Sequence, residues 1–294
     1  MGFSSVKSYV DAIENGQTQI TNFRKVLSYS GAAGLWTDLS MSGGNPRPNF
    51  YAATPLESST LNGNFGIYHG ENTPSGTKHL LRITTSNIPT GAAGFLFNFK
   101  LLDYLMFYPF IDGDSTDEQI LTTNATLPRY SSGEGVYAML IAQGGYTGGQ
   151  NCTINYTNSD GVSNRVTTPL LLNTTGITAS NLTTIGLGTF ASAPRTYSWP
   201  FFPLVGLDKG VRSIQSITFE APIGGVHALV LVKTIADYQH ATILAPSEKT
   251  YLTDFASAPR IYDGAYLNFI MQSTASATLA LTLNGTLETV WGNN

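Results

Sequence analysis

The sequence predicts an all-β, mainly antiparallel fold, a jelly-roll-like sandwich of two β modules behind a short N-terminal helical arm. Three observations carry that reading. Short apolar runs recur about every 8–14 residues between Gly, Pro and Asn punctuation, as in sandwiches, jelly rolls and barrels. The strand–helix–strand alternation of a doubly wound sheet is missing. Helical periodicity is confined to the first 30 residues.

In that opening stretch Ser4 or Ser5 is placed to cap a helix. Val6, Tyr9, Val10 and Ile13 recur at helical spacing, and Gly16 ends the run. Ile20, Phe23 and Leu27 repeat the spacing and predict a second short helix. Both are too short to be stable alone, so residues 1–30 are expected to pack on the body or dock on a partner. From Gly31 to about Thr77 the chain is rich in Gly, Pro, Ser and Asn, with Trp36, Leu39, Phe50, Tyr51, Leu56 and Leu61 as isolated apolar pegs. An ordered loop of that length is expected to wrap or reach a partner.

The strand candidates that follow begin with His79–Thr85, Phe95–Phe99, and Leu101–Ile111, which Pro109 limits. Val136–Ala142 comes next, and Gly144–Gly149 supplies a turn before a strand that starts at Thr153–Tyr156. Later candidates are Val166–Leu172, Val211–Glu220, His227–Val232, Ala241–Leu244, Tyr266–Gln272 and Ala277–Thr286. The first module is placed at 31–148, with the extended loop, and the second at 149–294.

An internal echo supports two modules. Phe190-Ala-Ser-Ala-Pro-Arg195-Thr-Tyr197 is nearly copied at Phe255-Ala-Ser-Ala-Pro-Arg260-Ile-Tyr262, and Leu127-Pro-Arg129-Tyr130 is a looser copy. A Gly-containing turn and an apolar strand follow the copies at 127 and 255. Pro fixes φ and removes a donor, so each copy is an extended lead-in to the next strand. Arg129, Arg195 and Arg260 are each candidates to clamp a carbonyl or carboxylate with the planar guanidinium fork.

Composition narrows the function. Hydrophobic residues make up 42% of the 294, enough for a large core, but charged residues only 12%, about half the usual share. Such a surface has little repulsive field and suits contact with other copies or partners; an extracellular β-protein that is simply Thr-rich would share the composition. The net charge of −4 and singly scattered Lys and Arg argue against nucleic-acid binding. No run is apolar and long enough for a membrane helix, and the N-terminus lacks the pattern of a secretory leader. The single Cys152 has no disulfide partner and reads as a small buried side chain. Asn-x-Ser/Thr sequons, as at Asn124 and Asn155, follow from Asn and Thr richness and carry no weight.

No catalytic or cofactor constellation emerges. His69, His79, His227 and His240 lack metal-ligand spacing. The densest acidic cluster, Asp112, Asp114, Asp117 and Glu118, has Asp117 and Thr123 where a calcium loop needs Gly and Glu, so it reads as a solvated turn. Nucleophile-elbow and phosphate-loop motifs are absent. Carboxylates meeting in space would still permit a hydrolase, the weakest of the readings. No catalytic residue, cofactor or metal is expected. The interaction candidates are Val6, Tyr9, Val10 and Ile13 on the arm, Trp36, Phe50 and Tyr51 in the loop, and the three arginines.

Tyr108-Pro-Phe-Ile-Asp-Gly-Asp-Ser-Thr-Asp-Glu-Gln119, Leu127-Pro-Arg-Tyr130, Gly133-Glu-Gly-Val136 and Gly210-Val-Arg-Ser-Ile-Gln-Ser216 carry a resemblance. So do Ala228-Leu-Val-Leu-Val-Lys233, Pro259-Arg-Ile-Tyr-Asp-Gly-Ala-Tyr-Leu-Asn268 and the opening Met1-Gly-Phe-Ser-Ser5. Over nearly the whole chain these strings resemble tailed-bacteriophage virion structural proteins, a group of mostly unassigned role. The resemblance implies a non-enzymatic particle component, made in the host bacterial cytoplasm and ending in the virion. Its partners would be the major capsid protein or tail proteins, and it would be a homo-oligomer. A head decoration or cement protein is the first expectation. A tail, fibre or spike component that binds host glycan or protein is the second, with residues 173–186 and Trp199, Phe201 and Phe202 as its face.

Overall fold

The most apolar run in the sequence becomes the strand on which the others assemble. The computed structural model describes residues 5–31, 34–73, 76–89, 96–172, 199–240, 245–253, 257–274 and 277–292. In chain order its elements are α1 (Val6–Glu14), β1 (Thr18–Gly31), β2 (Trp36–Asp38), β3 (Gly43–Asn45), β4 (Ser59–Thr60), a 3-10 turn (Gly63–Phe65), β5 (Thr77–Pro89), β6 (Phe97–Asp112), β7 (Gln119–Ile120) and β8 (Val136–Ala142). Then come β9 (Asn151–Asn158), β10 (Arg165–Val166), β11 (Leu170–Leu171), β12 (Val211–Phe219), β13 (Val226–Gln239), β14 (Ser247–Thr250), β15 (Arg260–Ile261), β16 (Tyr266–Ser273) and β17 (Ala277–Gly292). Every ladder between these strands is antiparallel, so the described residues are almost entirely β, with one short N-terminal α-helix.

Three sheets result. The central one runs β2-β16-β6-β13-β8, with β4 also on β6. The second runs β14-β5-β17-β1-β3, with β15 on β5, and the third β10-β9-β12-β7, with β11 on β9. Strand β6 is buried on both faces. Its Phe97, Phe99 and Leu101 pack with Phe23, Leu80, Ile83 and Leu283 of the second sheet. Further along, Leu105, Tyr108 and Ile111 pack with Ile154, Tyr156, Ile214 and Ile217 of the third. The opposite side, with Leu102, Tyr104 and Phe107, is covered by Trp36, Tyr51, Leu61 and Phe201. Bulges keep these cores filled. One extra β6 residue where β13 passes from Leu231 to Val232 sends Leu105 and Met106 to the same core.

Asp103 lies on β6 between the stretches facing the second and third sheets, fully buried. Arg129 meets it with Nε and Nη2 at 2.8 Å each, Nη2 also donates to the Tyr104 carbonyl at 3.0 Å, and the Tyr266 N–H adds a donor to Asp103 at 3.1 Å. This is a bidentate, fully hydrogen-bonded ion pair, the form in which a buried charge is tolerated. It realises the clamp expected of the Pro-Arg motif. The motif at 259 sits nearby: the Tyr130 and Tyr262 rings meet edge-to-face at 4.9 Å. The strands each motif leads into, β8 and β16, flank the β13–β6 pair on opposite sides.

Several expectations are corrected. The second helix expected within residues 1–30 is a strand: α1 is real, but Ile20, Phe23 and Leu27 belong to β1, which pairs along its whole length with β17. Phe23 and Lys25 point inward and Asn22, Arg24 and Val26 outward; a buried lysine at an inward position hid the alternation. The run broken at Lys100 and limited by Pro109 is one continuous strand. Val166–Leu172 splits into two short pairings with β9. The division at 148–149 does not separate sheets, since all three take strands from both sides of it. The Ala241–Leu244 candidate lies outside the described residues.

Replacing Arg129 by Ala leaves a buried carboxylate without its partner and should lower stability by about 3–5 kcal/mol. The double change Asp103→Leu with Arg129→Met should cost less than either single truncation. Urea unfolding of Arg129→Ala, Asp103→Ala and the double variant measures both, and a double variant less stable than Arg129→Ala contradicts the account.

Candidate functional site

Between β1, the β3 segment and residues 62–72 the long loop forms two adjoining hollows. The first, about 480 Å³, lies among Thr21–Phe23, Gly44–Arg47 and Gly63–Tyr68. The second, about 430 Å³, lies among Asn62–Asn64, Tyr68–Asn72 and Gly264. They share Gly63, Asn64 and Tyr68, so Tyr68 borders both. Tyr68 is 47% exposed, and its hydroxyl donates to Glu71 Oε1 at 2.8 Å. Arg47 rests over the Phe65 ring, 4.4 Å from the centroid.

These walls contain little regular structure, yet each is pinned from beneath by a buried lysine. Lys25 of β1 donates to the carbonyls of Ser42 and Pro46 at 3.1 and 2.8 Å. Gly44 makes that close approach possible: at φ +121°, a Cβ there would run into the Arg24 carbonyl. Lys78 of β5 donates to the carbonyls of Gly70 and Glu71 at 3.2 and 2.7 Å, to His69 Nδ1 at 3.3 Å and to Asp263 at 3.3 Å. Burial, and then the Lys78 charge, push His69 down to about 4, so its ring is neutral and accepts from Lys78. Thr289 donates to the His69 carbonyl at 3.0 Å, and the Thr73 N–H to Asp263 at 3.0 Å.

A buried acid lies close to Lys25. Burial pushes the Asp38 carboxyl up to about 6, opposed by the Ser40 and Tyr104 hydroxyls that donate to it. Burial likewise pulls Lys25 down to about 8, with Asp38 opposing. Ser40 also bonds the Tyr51 hydroxyl at 2.5 Å.

The residues singled out in the sequence fall in different places. On α1 only Tyr9 packs inward, with Ala12 against Leu81 and Val290. Val6, Val10 and Ile13 face outward at 62%, 40% and 42% exposure. Trp36 and Tyr51 are core pegs, as the loop reading expected, while Phe50 is exposed. Arg129 is internal, Arg260 is exposed over the Tyr262 ring at 4.2 Å, and Arg195 lies outside the described residues. Phe201 and Phe202 are core residues and not a surface platform, and residues 173–186 lie outside the described residues. In the acidic loop Asp112 caps the Asp114 N–H and Glu118 accepts from Ser216, consistent with a turn. Cys152 is buried, as read. Among the described residues no group of three or more His, Cys, Asp and Glu side chains could hold a metal ion, and no helix is long and apolar enough to cross a membrane. Sequence reading missed the groove and both lysines. The only signal was a Lys at an inward strand position, which β1 and β5 each carry.

No protein-family model and no curated protein matches the chain. Solved structures similar to it include the infectious bursal disease virus VP2 subviral particle, at 9% identity over 94% of this chain and 81% of that one, TM-score 0.20. The structure of the Gt strain of that virus is similar at 8% identity, with the same coverages and TM-score. At that TM-score the likeness carries no argument about what this chain does.

The Asp38–Lys25 pair gives a pH signature. Asp38 binds its proton more tightly folded than unfolded, so its contribution falls as pH rises from about 4 to about 6. Lys25 binds its proton less tightly folded, so its contribution recovers only as pH rises from about 8 to about 10.5. Relative to the native chain, Asp38→Asn should therefore gain up to about 3 kcal/mol between pH 4 and pH 6.5. Urea unfolding at the two pH values reads the difference, and a pH-independent difference would refute the assignment.

Proposed function

We propose that this protein is a non-enzymatic structural component of a tailed-phage virion, a head decoration or cement protein that stabilises the shell by surface matching. The observation that carries the reading is α1. A helix fastened to the body by Tyr9 and Ala12 presents Val6, Val10 and Ile13 to the outside, with Ile20 of β1 also exposed. Positions i, i+4 and i+7 make one apolar stripe, the form in which a helix docks in a neighbour's groove. The sparse charge of the chain and its resemblance to tailed-phage particle proteins support the same reading. Its partners are then the major capsid protein and further copies of itself.

A tail, fibre or spike component is the second reading, favoured by the polar groove. Quantitative mass spectrometry and immunogold labelling of intact particles separate the two: many copies spread over heads, or few at the tail or one vertex. A protein missing from purified particles would refute both.

Because β1 is integral to a sheet, the docking test leaves it intact. Val10→Asp with Ile13→Asp should abolish attachment to particles lacking the protein while leaving its circular dichroism and unfolding midpoint unchanged. Full occupancy by the double variant would overturn the role of α1.

A further inference from the structure

We propose that the two hollows beside Tyr68 form a binding site for a neutral oligosaccharide, one sugar ring in each hollow, with the tyrosine bordering both. The inference does not rest on the decoration reading. Each hollow, at about 480 and 430 Å³, lies within the range of small-ligand sites. Their lining is unlike that of a typical apolar pocket. The side-chain amides of Asn22, Asn64 and Asn72 are exposed and make no hydrogen bond to the described residues. An amide offers donors and an acceptor together, which is what vicinal hydroxyls require. Arg47 adds a planar donor fork, its back covered by Phe65.

Tyr68 supplies the apolar component. It is half exposed, its hydroxyl donates to Glu71, and its ring is the apolar surface available to the C–H side of a pyranose. The charges lining the site are Arg47 and Glu71, one of each sign, with His69 neutral, so nothing concentrates an acidic glycan. Lys25 and Lys78 hold both walls in place before any ligand arrives. Preorganisation removes the ordering cost that makes loop-built sites weak.

The test uses the full chain and its Tyr68→Ala, Tyr68→Phe and Arg47→Ala variants on a printed array of neutral and acidic glycans, with hits titrated by saturation-transfer NMR. Neutral oligosaccharides should bind. Tyr68→Ala should weaken them by about tenfold or more, the size of a lost ring contact, while Tyr68→Phe retains most of the affinity. Arg47→Ala should also weaken binding. Circular dichroism establishes that each variant is folded. An array with no neutral hit, hits confined to acidic glycans, or affinity unchanged in Tyr68→Ala overturns the proposal. So does self-association that Tyr68→Ala abolishes, which would make the groove a contact between copies. None of these outcomes bears on whether the protein is found in particles, so the two readings fail separately.

Discussion

The burial of β6 on both faces is the constraint from which the rest of the architecture derives. Sixteen residues of strand span roughly 50 Å, more than one partner sheet covers. One side of β6 is therefore shared, with the second sheet over Phe97–Leu101 and the third over Leu105–Ile111. Where the two cores meet, no single apolar cluster continues, and the chain places Asp103 there. A carboxylate at that depth is tolerable only with its lone pairs occupied. Arg129 and the Tyr266 N–H occupy them, and Arg129 also reaches the Tyr104 carbonyl. The pair thus ties the loop before β8 and the start of β16 to the middle of β6.

The two lysines solve a related problem elsewhere. Residues 40–73 carry few apolar side chains for their length, so hydrophobic burial alone cannot hold them in one arrangement. A buried ammonium with several carbonyl acceptors can, because each bond is charge-assisted and the alternative is an unsatisfied cation. The same desolvation that draws Lys25 down to about 8 makes the pinned loop conformation specific. Rigid walls made from polar backbone leave the outward side chains, Asn64 and Tyr68 among them, free for other contacts.

Much of the fold was legible because it rests on local pattern. Val136–Ala142 matches β8 residue for residue, and Tyr266–Gln272 falls one residue short of β16. The cap at Ser5 and the stop at Gly16 stand where the sequence puts them, and Trp36, Tyr51 and Leu61 are pegs. What failed depended on partners far away in sequence. Lys25 reads as a surface residue unless the carbonyls of Ser42 and Pro46 are known to lie over it. Helical spacing alone did not say which of Val6, Tyr9, Val10 and Ile13 pack on the body: among the described residues Tyr9 and Ala12 meet Leu81 and Val290, while the other three face outward. The groove was invisible for the same reason, since its walls come from β1, the long loop and the turn at Gly264.

Strand β17 lies between β5 and β1, so Thr18 is opposite Val290 and Thr77 opposite Gly292. Apart from the short β1–β3 contact, the pairings of the second sheet join residues far apart in sequence, so its main ladders close very long chain loops. The β6–β13 pair is also non-local, joining Asp112 to Val226 and Asn98 to Gln239. An unseated β17 would leave the facing edges of β1 and β5 with unpaired backbone groups, which the β17 of another copy could meet as well as its own.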